Sequence, residues 1–173
     1  MKTKPFITFL LALSLFGCTT AGVKNIEYAE FDRTTIIDRD YDEVWGLVLE
    51  WSAINGFPIE KTDKNDGIIM LTGSGTVNRS FLLHGEAELD QRLVSCGEAT
   101  GNIGLYQGKF TDLVINATII LRRSNESTRV TVNMSGNVGV EVRNGYGVVS
   151  SARNTCASRG VFEQKLFSDL KEI

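Results

Sequence analysis

The stretch Asp40 to Pro58, DYDEVWGLVLEWSAINGFP, contains a helix with both of its ends encoded. Asp40 is a residue type that caps helices, because its carboxylate can accept from the free amides of the first turn. Glu43 follows three residues later, as in a capping box. Val44, Leu47, Val48, Trp51 and Ile54 then recur at helical spacing and form one wide apolar stripe. Gly56 suits the left-handed position beyond the last turn, and Pro58 blocks continuation. The spacing predicts a helix over 41–55.

Outward from this helix the pattern changes to period two. Arg33 to Asp38, rich in β-branched residues, reads as a strand before the helix. Phe57 to Thr62 and Gly67 to Gly73 read as a hairpin around the turn Asp63 to Gly67. Within 73–110, Phe81 to Leu83 and Glu86 to Val94 read as strands and Gly97 to Gly108 as a glycine-rich connection. From Asp112 the alternation is clear again, with Leu113, Ile115, Ala117, Ile119 and Leu121 in one phase. A polar turn at Ser124 to Ser127 leads to Val130, Val132, Met134, Val138, Val140 and Val142, also in one phase. Gly136 lies inside that run and permits a bulge. Asn144-Gly145 is a type I′ hairpin signal returning into Tyr146 to Ser150. Ser158 to Ile173 fits an amphipathic helix with Phe162, Leu166, Leu170 and Ile173 on one face.

This element order predicts a single α+β domain, a curved antiparallel sheet packed against a helix. Over Arg33 to Gly73, the order of elements and the helix exit Asn55-Gly56-Phe57 are similar to helix-grip domains. Such domains include those in the lipoprotein subunit of the outer-membrane β-barrel assembly machinery. The resemblance implies a helix-grip-like fold and transfers no functional residue.

The N-terminus has a separate logic. Met1-Lys2-Thr3-Lys4 is a short basic region, and Phe6 to Phe16 is an apolar run broken only by Thr8 and Ser14. That run has the length of a signal-peptide core and is too short for a spanning helix, which needs roughly 20 residues. It ends in Leu15-Phe16-Gly17-Cys18, which resembles the lipobox of bacterial lipoproteins, although Phe16 is bulkier than the residue usual there. The resemblance implies a signal peptide over 1–17, cleavage after Gly17, and acyl chains on Cys18 that anchor the chain in a membrane. The alternative is an ordinary secretory signal cut near Ala21. Thr19, where an aspartate would retain a lipoprotein in the inner membrane, implies the outer membrane. Residues 18–25 then read as a polar lipidated tether and 26–173 as a periplasmic domain.

Lys2 and Lys4 leave with the signal, so the mature 156 residues hold 16 basic and 21 acidic side chains, a formal charge of −5. The longest basic cluster is Arg122-Arg123, which argues against a nucleic-acid partner. With Cys18 acylated, Cys96 and Cys156 remain as a pair in an oxidising compartment, where a disulfide is expected. A metal site or a reactive thiol are the competing readings, and one histidine makes a thin ligand set. Four Asn-X-Ser/Thr triplets, from Asn78, Asn116, Asn125 and Asn133, reflect polar strand faces rather than glycan sites.

Candidate chemistry is sparse. His84 is the only histidine and has no nucleophile motif near it. Gly73-Ser74-Gly75 lacks the residues of a phosphate loop and reads as a plain loop. Glu86, Glu88 and Asp90 would share one strand face, which could serve acid/base or calcium chemistry but more often marks a wet face. Trp51 belongs to the helix stripe, whereas Trp45 sits at its margin or faces a partner. No catalytic residue, metal or cofactor is expected. The expectation is a non-enzymatic outer-membrane lipoprotein with a binding or assembly role in the cell envelope and an envelope protein as partner. The alternative is a carrier of a small apolar ligand or lipid between sheet and helix.

Overall fold

The computed structural model describes residues 20–75, 77–78, 88–89, 92–101 and 106–172. In chain order the elements are β1 (Val23–Lys24), β2 (Thr34–Ile37), α1 (Tyr41–Ile54), β3 (Ile59–Asp63), β4 (Ile68–Gly75), β5 (Val77–Asn78), β6 (Glu88–Leu89), β7 (Val94–Ser95), β8 (Glu98–Ala99), β9 (Gln107–Ser124), β10 (Ser127–Asn144), β11 (Gly147–Ser158) and α2 (Val161–Glu172). Among the described residues the fold is α+β, an antiparallel sheet with two helices.

The helix ends follow the sequence. Asp40 Oδ1 accepts the amides of Asp42 at 2.8 Å and Glu43 at 3.0 Å. The Glu43 carboxylate pairs with Arg39 instead of turning back to the cap, so the capping box is half-formed. At the other end Gly56 has φ +72°, its amide reaches Ala53 O, and the Phe57 amide reaches Ser52 O at 2.9 Å. That is a Schellman closure, which uses the carbonyls left over in the last turn. Phe57 does not begin a strand as expected. The Pro58 carbonyl accepts from Thr72, and β3 starts one residue later.

Seven strands form the main sheet in the order β3-β4-β9-β10-β11-β7, with β2 also pairing β10. β2 lies along residues 128–131 of β10 and β11 along 135–144, so the two share one edge of the same strand. The expected period-two phases are the buried ones. Leu113, Ile115, Ala117, Ile119 and Leu121 of β9 and Val130, Val132, Met134, Val138, Val140 and Val142 of β10 are all buried. Together with Val44, Val48 and Trp51 of α1 and Phe162, Leu166 and Leu170 of α2, most of them belong to one hydrophobic cluster.

Several expectations are corrected. The bulge lies in β9, at Thr111 and Asp112 opposite Gly139, and not at Gly136, because Val138 opposes Leu113 while Val140 opposes Phe110. Gly136 stays in register, and a Cβ there would sit 3.0–3.2 Å from Leu113, Val94 and Cys156, so its job is close packing. The β10–β11 turn centres on Gly145-Tyr146 rather than Asn144-Gly145, and neither residue has a left-handed φ. The Asn144 side chain accepts the amides of Tyr146 and Gly147, which makes it the residue before the turn. Gly73-Ser74-Gly75 is no loop: it pairs with Ile115, Val114 and Leu113 as the end of β4. The strand expected to end at Ser150 runs on to Ser158, and the last helix, expected from Ser158, begins only at Val161. The glycine-rich connection contains β8, whose partner is β1, so part of the expected tether is paired backbone. Ile173 and the predicted strand at Phe81 to Leu83 lie outside the described residues.

Candidate functional site

Cys96 and Cys156 form a disulfide across a sequence separation of 60 residues. Their strands explain the meeting. β7 ends at Ser95, which pairs with Ala157 of β11, so each cysteine follows or precedes a paired residue on adjacent strands. Both are buried, so the sulfurs belong to the core. Among the described residues, no group of three or more His, Cys, Asp and Glu side chains could hold a metal ion. Cys18, His84, Glu86 and Asp90 lie outside the described residues, and Glu88 is described only as backbone in β6, paired with Asn78. Trp45 is buried, stacked on Tyr41 one turn earlier with centroids 6.2 Å apart, so it does not face a partner.

A groove between the two helices combines an apolar floor with charged walls. Leu47, Glu50, Trp51, Ile54 and Asn55 of α1 and its C-cap line one wall, and Lys165, Asp169 and Glu172 of α2 line the other, around about 510 Å³. Trp51 is its floor. The indole stacks on Phe57 at 5.7 Å and meets Phe162 edge-on at 5.3 Å, which fixes the ring from two sides. A buried indole N–H needs an acceptor, and Asp169 Oδ2 supplies one at 2.6 Å. Lys165 Nζ reaches the same oxygen at 2.7 Å. These two donors, Lys165 first and Trp51 second, hold the Asp169 carboxyl below its ordinary range. At the rim Ile54 is 75% exposed, an apolar residue left in water at a helix end. The groove thus offers an apolar floor and lip with three carboxylates and one ammonium. That arrangement can hold a side chain or a basic segment but contains no nucleophile–base pair.

A second cleft, of about 390 Å³, lies where the β3–β4 turn meets α1. There the Tyr41 hydroxyl donates to Lys64 O, and the Arg123 guanidinium sits 4.8 Å from the Tyr41 ring centroid. Asp42 pairs with Lys64 at 2.8 Å and Arg123 at 3.6 Å, and the hydrogen bond from Lys64 chiefly lowers its pKa. These charges satisfy one another, so the cluster fastens the turn to the helix.

A third cleft follows from the bulge. Asp112 accepts from the Thr111 hydroxyl at 2.7 Å and from Arg153 at 2.8 Å, and both bonds lower its pKa. A Cβ on Gly139 would come within 2.2 Å of Asp112 Oδ1, so glycine there makes room for the carboxylate. No local signal marks Asp169 or Phe57 as site residues. Asp169 is 118 residues from Trp51, and only the folded chain brings them together. No family model, curated protein or solved structure matches this chain.

Proposed function

We propose that the chain is a lipoprotein anchored in the outer membrane through acyl chains on Cys18, with a non-enzymatic binding or assembly role in the cell envelope. The observation that carries this reading is the Cys96–Cys156 bridge. Disulfides persist in oxidising compartments, which is where the signal-like run ending in Leu15-Phe16-Gly17-Cys18 would deliver the domain. The docking place for an envelope partner is the α1–α2 groove. Glu50, Asp169 and Glu172 outnumber Lys165 around its apolar floor, which suits a basic, amphipathic segment of another protein. In this reading the sheet curves about α1 in the manner of helix-grip domains. Its support is the single cluster shared by α1, β9 and β10.

A carrier of apolar ligands would need space between helices and sheet. Val48, Ile119, Val132, Leu166 and Leu170 each have 0% exposure at that interface, which favours a docking module. Two experiments test the proposal. Cys18→Ser should abolish acyl labelling and leave an uncut or soluble precursor; continued palmitate incorporation defeats the anchor. Crosslinked envelopes should yield a partner with the wild-type chain and lose it with Glu50→Lys/Glu172→Lys. No partner, or one indifferent to the charge reversal, defeats the groove.

A further inference from the structure

We infer that the tip of the β10–β11 hairpin rests in the headgroup region of the membrane that holds Cys18, with Tyr146, Val148 and Val149 inserted. This rests on the lipid-anchor reading and adds an orientation to it. The chain is pinned to the domain almost immediately after the anchor. The Ala21 amide donates to Ser150 Oγ at 3.1 Å, the Gly22 carbonyl accepts from Thr100, and Val23 and Lys24 pair with Ala99 and Glu98. Only Thr19 and Thr20 separate Cys18 from Ala21, three Cα–Cα steps that span at most about 11 Å. The domain therefore cannot swing freely above the bilayer.

The pinning point is near one end of a long element. Tyr146 stands four residues before Ser150, roughly 13 Å along a strand, whereas β10 runs about 55 Å to the opposite turn at Asn125-Glu126. With Ala21 held near the surface, a tip pointing away would drive the far part of β10, including Arg129 and its neighbours Arg122 and Arg123, into hydrocarbon. Charges there are costly. Tip-down or flat are the orientations left, and the chemistry of the tip selects the first. Residues 144–152 read NGYGVVSSA, nine residues without a charge, between Arg143 and Arg153. Tyr146 is 101% exposed, Val148 47% and Val149 46%. An uncharged, apolar tip with tyrosine at its end matches a bilayer interface, where tyrosine sits among headgroups, and the flanking Arg143 and Arg153 are held by Glu141 and Asp112.

The test uses the full-length, exported chain carrying Tyr146→Trp, with Glu126→Trp as the opposite-end control. Each is reconstituted into phosphatidylethanolamine–phosphatidylglycerol vesicles with or without brominated acyl chains. Trp45 and Trp51 are buried, so the wild type supplies the background. The indole introduced at 146 should lose at least half its emission to brominated lipid and escape aqueous iodide; the one at 126 should do the reverse. If the N-terminal peptide carries acyl chains yet iodide quenches position 146 as strongly as 126, the tip proposal falls and the anchor stands. Position 146 open to iodide in vesicles but shielded in isolated envelopes assigns the tip to a protein and also overturns the proposal. An unacylated Cys18 removes both.

Discussion

Replacing Cys96 and Cys156 together by alanine opens a covalent loop spanning 60 residues. In the chain-entropy treatment, closing a loop of that length costs the unfolded ensemble about 14 cal/mol/K, or about 4 kcal/mol at 25 °C. The native strands offer little to replace it, because β7 meets β11 through only two residue pairs, Ser95 with Ala157 and Val94 with Ser158. The two buried sulfurs also leave small voids, a loss in the same direction. The double variant should therefore unfold with about 3–5 kcal/mol less stability in urea titrations of the oxidised protein followed by circular dichroism. Its m-value should rise, since an uncrosslinked unfolded chain exposes more surface, whereas lost packing alone leaves m unchanged. A variant within about 1 kcal/mol of wild type at unchanged m would refute the view that the bridge restrains the unfolded chain.

Leu166→Ala removes a side chain with no exposed surface from the α2 face and should cost about 2–5 kcal/mol in the same titration. Asn125 holds φ +55° in the β9–β10 turn, so Asn125→Val should lower stability by about 1–2 kcal/mol and Asn125→Gly should change it little. Glu163 is buried against the Ser158 hydroxyl, and burial raises its pKa above the ordinary 4.5. The folded state then holds its proton longer than the unfolded state, so this group's contribution to stability is full below pH 4.5 and is lost as pH rises through the folded value. Melting temperatures of Glu163→Gln relative to wild type should accordingly climb with pH across that window and then level off; a flat difference would contradict the buried-acid account. For Asp169 the sign is opposite: removing one of its donors in Trp51→Phe should move its carboxyl midpoint up toward 3.8 in an NMR titration.

Legibility in the sequence tracked how local the causes were. Asp40, Gly56 and Pro58 bracket α1 within nineteen residues, and the helix obeys them at both ends. β9 and β10 were readable because one face of each is buried along most of its length, which enforces strict alternation. β11 was not, because residues 147–155 lie at an edge where the inner phase, Ser150, Ala152 and Asn154, is only half-buried and carries small or polar side chains, so its alternation shows no apolar period. The bulge leaves no mark in the sequence of β10 because its extra residue sits on β9, where Thr111 and Asp112 together oppose Gly139. Likewise the groove depends on Trp51 meeting Asp169, a contact between two helices whose relative placement no local signal encodes. The disulfide was readable for a different reason: once Cys18 is assigned, only one pairing remains.

The sharing of one strand edge by β2 and β11 bears on how the chain assembles. β9, β10 and β11 follow one another through two short turns, so residues 107–158 can pair by zippering outward from each turn, an event of microseconds for a hairpin. β2 must instead find β10 across a separation of 97 residues, Thr34 to Thr131, and β7 must find β11 across a separation of 62, Ser95 to Ala157. Closing such spans costs more entropy before any contact compensates, so these strands join a meander that already exists. The two thiols then stay apart until that docking, and oxidation becomes a late event in maturation. A thiol-alkylating pulse during refolding should block both cysteines while the three-stranded meander is already protected from hydrogen exchange.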